Sequence, residues 1–256
     1  MAIGERFDTD SSALERRAAL NANNAAASME EWFWNLLPRR DYGSVLDVGC
    51  GLGKQMFFLA GMLPNADITG FDISAESVDA VNRRAAKEGR AKVRALRLDL
   101  DTCLESLPKQ AYDLVVSAYA IYYAKDVPGL IRGLRACMKP GGVAMIMGFG
   151  AGSNDELYAL VNSAATRPED KIARVADFLS PAEVEGLRAA WATVTIERLA
   201  NHVTFTSAAD VMAWWRNHNS HRPGVDAAVE KLVAESFAAS GRFPLAKNVF
   251  GVMLHA

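Results

Sequence analysis

Residues 45–53 read Val-Leu-Asp-Val-Gly-Cys-Gly-Leu-Gly, an apolar strand that runs straight into three glycines spaced G-x-G-x-G. A glycine-rich turn after a buried strand lets backbone approach a nucleotide-like ligand with no Cβ in the way. The dinucleotide-binding fingerprint would place its third glycine at position 54. Lys54 stands there instead, and Gly53 closes the turn one residue earlier. The alternatives at this point are an adenosyl ligand, a dinucleotide, and a turn with only a structural job.

Around this turn the chain alternates strands and helices. Strands are predicted at Val45–Val48, Ile68–Phe71, Val93–Leu98, Leu114–Ser117 and Val143–Phe149, with helices at Lys54–Leu63, Ala75–Lys87 and Val127–Met138 between them. Ser74 is the expected N-cap of the second of these helices and Gly89 its stop. Strands apolar on both faces belong in a parallel sheet covered by helices on both sides. Lys139-Pro140-Gly141-Gly142 reads as a tight turn into the fifth strand.

Residues 12–37 read as a helical pair, with Ser12–Glu15 and Ser28–Glu31 as capping boxes. After the fifth strand, Ser153–Glu156 and Ser180–Glu183 open further helices. Val194–Phe205 alternates as one strand, Ser207–Asn217 and Val225–Ala239 are helical, and Val249–His255 is a closing strand. No linker separates domains, so the expectation is a single domain: a helical cap at 1–42, a ligand-binding core at 43–149, and cap insertions with the last two strands at 150–256.

With 256 residues, half of them hydrophobic, and a net charge of −2, the chain can bury a sizeable core. Near-neutral charge argues against a partner held mainly through nucleic-acid phosphates. The longest apolar run falls short of a membrane span. Cys50, Cys103 and Cys137 are scattered without zinc spacing, as expected of reduced thiols in a cytoplasmic protein. Nothing at the start resembles a secretory leader.

Downstream features narrow the ligand. Asp72 ends the second strand in Phe-Asp-Ile-Ser, where a carboxylate can accept both hydroxyls of a ribose, of either an adenosyl or a dinucleotide ligand. Asp99, in Arg-Leu-Asp-Leu-Asp, can accept from an adenine amino group while Leu100 packs on the ring; Asp101 competes for the role because register is uncertain by one residue. Tyr112-Asp113-Leu114-Val115-Val116-Ser117-Ala118-Tyr119-Ala120-Ile121-Tyr122-Tyr123 forms the fourth strand and its exit, followed by Met138-Lys139-Pro140-Gly141-Gly142-Val143. In this order and spacing, residues 43–149 resemble the class I S-adenosylmethionine (SAM) dependent methyltransferases, in the small-molecule branch that includes ubiquinone-type and natural-product enzymes.

The resemblance implies an α/β, doubly wound, Rossmann-like sheet of seven mostly parallel strands in the order 3-2-1-4-5-7-6, strand seven antiparallel, with helical cap additions. It implies SAM as cofactor, held by Gly49, Gly51, Gly53, Asp47, Asp72, Ile73, Asp99, Leu100 and Ser117. Asp47 would place the methionine end. The Asn/Asp-Pro-Pro-aromatic tetrad of adenine- and glutamine-N-methylating relatives is replaced by Ser117-Ala118-Tyr119-Ala120, and no cysteine follows a proline as in cytosine-C5 enzymes. The implied acceptor is a small molecule. A monomer or homodimer is expected, without nucleic acid or membrane as partner.

Methyl transfer from a sulfonium is an in-line displacement, so the protein must hold nucleophile, methyl and sulfur collinear in a dry pocket. A base is needed only for a nucleophile that arrives protonated. Tyr119, Tyr122, Tyr123, His202, His218 and His221 are candidates, with Tyr119, Tyr122 and His218 foremost; many relatives carry a His pair where Tyr122 and Tyr123 stand. Tyr119, Tyr123, Trp214 and Trp215 are expected against the substrate, under a roof drawn from residues 5–37, 150–178 and 206–240. His218 and His221 lack a third ligand at helical spacing, so no metal is assigned. Two rival functions remain: an NAD(P)-dependent oxidoreductase, and a SAM-binding sensor without turnover.

Overall fold

A computed structural model describes residues 16, 19–21 and 24–256. Helix α1 (Met29–Leu36) leads into β1 (Ser44–Val48), α2 (Lys54–Met62), β2 (Asp67–Asp72), α3 (Ala75–Lys87) and β3 (Val93–Arg97). A one-turn helix, α4 (Cys103–Ser106), precedes β4 (Tyr112–Ala118), and α5 (Val127–Leu134) joins β4 to the long β5 (Met138–Phe149). Then come α6 (Asp155–Ala164), α7 (Pro181–Arg188), β6 (Thr193–Leu199), β7 (His202–Phe205), α8 (Ala208–Arg216), α9 (Asp226–Ser240), β8 (Phe243–Ala246) and β9 (Val249–His255).

The main sheet has seven strands in the order β3-β2-β1-β4-β5-β9-β6. Pairing is parallel from β3 to β5, and β9 runs antiparallel to both β5 and β6. With β9 as the seventh strand of this sheet, the expected order and direction are met. One face packs on Phe33 of α1, Met56 and Leu59 of α2 and Val78 and Val81 of α3. The other packs on Leu130, Ile131 and Leu134 of α5 and Val184 and Leu187 of α7. Helix α3 follows its sequence closely: Ser74 Oγ accepts from the Ser77 amide, and Gly89 leaves the helix in the left-handed region at φ +65°.

A third apolar core lies outside the sheet. It joins Leu157 and Val161 of α6, Val211, Trp214 and Trp215 of α8, Val229 and Val233 of α9, and residues of β7 and β8, which pair as a separate two-stranded sheet.

Several sequence expectations are corrected. The single strand at Val194–Phe205 breaks at Asn201, whose Oδ1 accepts the His202 amide at 2.9 Å while its carbonyl takes Lys247 N–H; the side chain competes with the ladder and turns the chain into the second sheet. Strand β8 carries Pro244, which masks it in sequence but is tolerated in a two-stranded pair. Lys139–Gly142 forms a bulge inside β5, between the pairs Tyr112–Met138 and Leu114–Val143. The helix expected to reach Met138 gives way to a 3₁₀ turn at Arg135–Cys137. Ser153 does not cap α6: its hydroxyl donates to the Gly150 and Asn248 carbonyls, Glu156 accepts from the Ala246 amide, and Asn154 at φ +64° starts the helix. At α1, Ser28 accepts from the Glu31 amide but gives its own proton to Glu30. The Ser180–Glu183 capping box is complete. The Ser12–Glu15 box lies outside the described residues.

Candidate active site

The glycines after β1 have separate jobs, and all three hold left-handed backbone, at φ +69°, +50° and +76°. A Cβ on Gly49 would lie 2.3 Å from Ala120 Cβ, so the chain leaving β4 presses against this turn. At Gly51 a Cβ would meet nothing within 4 Å, which leaves open space over the backbone. Gly53 starts α2 against Val81 and Phe57.

Asp47, near the end of β1, is 1% exposed, and neither carboxylate oxygen has a hydrogen-bond partner among the described residues. Burial first, then the neighbouring Asp72 charge, pushes its pKa up to about 7. An orphaned buried carboxylate asks for a ligand or ion to complete it. Asp72 at the tip of β2 accepts the Gly51 amide at 2.8 Å on one oxygen and the Ser74 amide at 3.0 Å on the other. Each oxygen keeps acceptor capacity for a hydroxyl. Ile73 beside it is 41% exposed, an apolar surface at the rim of the same turn.

Past β3, Asp101 is committed: it accepts both the Lys125 amide (2.9 Å) and the Lys125 ammonium (3.0 Å), and those bonds hold its carboxyl below the ordinary range. Asp99 accepts only from the Asp101 amide, at 2.9 Å, and lies exposed with Leu100 half-buried next to it. Of the two acids, Asp99 is the one without a cation among the described residues and with exposed acceptor capacity. Ser117 is fully buried, and its Oγ donates to the Val48 carbonyl at 2.9 Å. It ties β4 to β1 beneath the cofactor turn.

Tyr119 follows β4 at φ +57°, an uncommon conformation for a side chain of this size. Its amide donates to the Met147 carbonyl, and its ring meets Phe149 edge-on at 5.0 Å. Burial first, then Glu30, pushes its phenol well above the ordinary value, so the hydroxyl keeps its proton and serves as a donor instead of a base. Tyr122 lies 5.6 Å from Phe149 and 6.4 Å from Phe178, and Tyr123 adjoins it at 4.7 Å. These rings form an aromatic wall at the ends of β4 and β5. Gly148 leaves room for it, since a Cβ there would come within 2.7 Å of Phe178.

The histidines and tryptophans sit differently from the sequence reading. His218 Nδ1 accepts the Ser220 amide at 3.1 Å, so that nitrogen is engaged within its own turn. Its ring stacks on Trp214 at 4.7 Å. Trp215 is fully buried inside the cap core and donates to Asp226 at 2.9 Å, so it supports the cap from within. Trp214 is equally enclosed, with its indole N–H on Asn21. His221 pairs with Asp226 at 2.9 Å, and His202 lies on β7.

Sequence reasoning missed Glu30, Phe149 and Phe178. Glu30 of α1 is buried over the cofactor turn, taking Lys54 Nζ at 2.9 Å and Gln55 Nε2 at 3.3 Å. Only the Ser28–Glu31 cap hinted that α1 is placed there.

The sheet order is that of a Rossmann-like methyltransferase fold, and the fold is similar to those of solved methyltransferases. Residues 45–142 match the family described as "Methyltransferase domain". The trans-aconitate 2-methyltransferase of Deinococcus radiodurans is 33% identical over 111 residues, which are 43% of this chain and 40% of that enzyme. The chain thus spans less than half the length of this curated relative. The SAM-dependent methyltransferase of Aquifex aeolicus has a TM-score of 0.52 at 14% identity, covering 93% of this chain and 97% of that one. The geranyl diphosphate C-methyltransferase of Streptomyces coelicolor A3(2), solved with S-adenosyl-L-homocysteine, has a TM-score of 0.52 at 18% identity, covering 88% and 78%. The residues around the glycine turn fit SAM as a cofactor: among the described residues Asp47 lacks a partner, and the space above Gly51 is open.

Proposed function

We propose that this chain transfers a methyl group from SAM to a small-molecule acceptor. The observation that carries the reading is Asp47, a buried carboxylate without a donor among the described residues, beneath an open glycine turn. An ammonium such as that of the methionine end of SAM satisfies it. When bound, SAM supplies a methyl on a sulfonium sulfur; the sulfur–carbon bond breaks with its electron pair left on sulfur, and the acceptor atom forms the new bond. Asp72 orients the ribose, Asp99 and Leu100 border the adenine, and Ile73 covers its exposed face. The wall of Tyr119, Tyr122 and Phe149 excludes water and aligns the acceptor. Because burial keeps the Tyr119 phenol protonated, it offers a donor and not a base, and the pocket suits a nucleophile that arrives deprotonated.

The relatives' names span a tricarboxylate and an allylic diphosphate as acceptors, so the match to the core names a chemistry and not a substrate. Among the described residues no helix is long and apolar enough to cross a membrane. A cytoplasmic setting, as monomer or homodimer, is part of the proposal, supported by three cysteines that stand free and buried. Calorimetry with S-adenosylhomocysteine and with NAD tests the cofactor, and methyl transfer from labelled SAM to a panel of small acids, phenols and amines tests turnover. Binding of the former alone, with product, is expected. NAD binding without S-adenosylhomocysteine binding overturns the reading, and cofactor binding with no product anywhere in the panel favours the silent sensor.

A further inference from the structure

Helix α1 brings to the cofactor turn a charge that no strand of the sheet supplies. Its buried face carries Glu30 and, three residues on, Phe33, a spacing that sets the two one above the other. Phe33 meets Phe58 of α2 edge-on at 5.9 Å, which pins the two helices together. Glu30 is thereby held at 5% exposure beside the first turn of α2, where Oε1 accepts Lys54 Nζ at 2.9 Å and Gln55 Nε2 at 3.3 Å. Its other oxygen accepts the Ser28 hydroxyl at 3.2 Å. Lys54 and Gln55 are the first two residues of α2, directly after Gly53.

Gly53 offers no side chain to cap α2, and Lys54 stands where the dinucleotide fingerprint keeps its third glycine. A helix N-terminus attracts anions, and in a dinucleotide site the pyrophosphate rests there. Here a carboxylate of the protein itself lies against that first turn. It is the inner member of its ion pair, since the Lys54 side chain is 61% exposed and that of Glu30 only 7%. The ammonium that would meet a phosphate is committed to Glu30. Two more acids serve the same turn, Asp47 beneath it and Asp72 on the Gly51 amide. The Glu30 charge also adds to the burial that keeps the Tyr119 phenol protonated, so it faces the interior of the site. A phosphate placed here meets like charges at short range in a poorly hydrated setting, where repulsion is strong.

We propose that Glu30 sets the ligand charge accepted at this turn, admitting the cationic SAM and turning away adenosyl ligands with a phosphate chain, such as ADP and NAD. It acts as a specificity residue and not a catalytic one. The inference rests on the methyltransferase reading and deepens it, by naming the side chain that keeps a glycine turn of this kind from serving a dinucleotide.

Calorimetry on the full chain with S-adenosylhomocysteine comes first; a parent that does not bind it sinks the methyltransferase reading, and this proposal with it. Displacement of that ligand by adenosine, AMP and ADP then grades the effect of charge. In the parent, ADP should compete at least about tenfold more weakly than adenosine. Glu30→Gln keeps the size of the side chain and removes its charge, so ADP should gain at least about tenfold on adenosine in that variant. Glu30→Leu, which suits an enclosed site, gives the same comparison where the glutamine variant loses its cooperative melt. Parent protein for which ADP competes as well as adenosine overturns the proposal. So does an unchanged adenosine-to-ADP ratio in the folded Glu30 variants; with a lowered melting temperature, that result would show that Glu30 only fastens α1 to α2.

Discussion

A carboxylate sealed from water without a donor titrates late, and Asp47 does so near 7 in place of its ordinary 3.8. Between those values the folded chain holds a proton that the unfolded chain has lost, so without ligand the protein loses stability as pH rises from about 4 to about 7, by at most about 4 kcal/mol. Cofactor binding has the opposite slope, because the ammonium needs the ionised carboxylate: affinity should climb as pH rises through 7. Asp47→Asn should therefore raise the melting temperature of the ligand-free protein above pH 7, flatten its pH dependence, and weaken S-adenosylhomocysteine binding. Thermal melts and calorimetry between pH 5 and about 8 check all three, and a variant that binds as tightly as the parent removes Asp47 from the site. Asp72→Ala should cost about 2–3 kcal/mol of cofactor affinity, since two charge-assisted contacts to ribose go together, read as a dissociation constant. Its carboxylate also fastens the Gly51 and Ser74 amides, so this variant should show faster amide exchange at the turn. The positions of Asp47 and Asp72 are readable from sequence because each is fixed by its own strand end. That of Glu30 is not, because only tertiary packing brings it to the strand ends.

Within the turn after β1, neighbouring glycines respond to different constraints, and alanine separates them. At Gly49 the added Cβ collides with Ala120, so Gly49→Ala should lower stability by about 1–3 kcal/mol and disturb the chain leaving β4. At Gly51 the space is open, so Gly51→Ala should cost only about 1 kcal/mol of backbone strain while weakening the cofactor strongly, because the methyl occupies ligand space. Melting temperature and S-adenosylhomocysteine affinity measured on both variants check the pair; equal binding losses would mean that the turn is not the cofactor floor. The G-x-G-x-G spacing identifies the turn, yet nothing in it says which glycine faces the ligand. The same limit holds for α8. Helical spacing correctly puts Trp214 and Trp215 on different faces, but both faces are covered, one by the His218 ring and the other by the Asp226 end of α9.

Across the whole molecule the sheet and the cap keep separate apolar cores, two laid on the faces of the main sheet and one enclosed by α6, α8, α9 and the β7–β8 pair. Trp215→Ala should thus cost about 3–5 kcal/mol through its cavity and its lost bond to Asp226, with the loss confined to the cap. S-adenosylhomocysteine affinity should stay within about threefold, and hydrogen exchange should quicken in 203–245 ahead of the sheet. Equal acceleration in both would mean that they unfold as one. The strand–helix rhythm made the sheet legible, whereas the second sheet stayed hidden because β7 read as the continuation of β6 past Asn201 and Pro244 masks β8. The insertion between β6 and β9 leaves at Leu199 and returns at Val249, and those two residues are partners in the ladder. Entry and exit are therefore neighbours, so the segment 200–248 can be lengthened, shortened or replaced in the course of descent without changing the register of any strand. On the proposed reading, the part of acceptor preference that this segment supplies is inherited separately from cofactor use, because the strand ends that carry the glycine turn do not change with it.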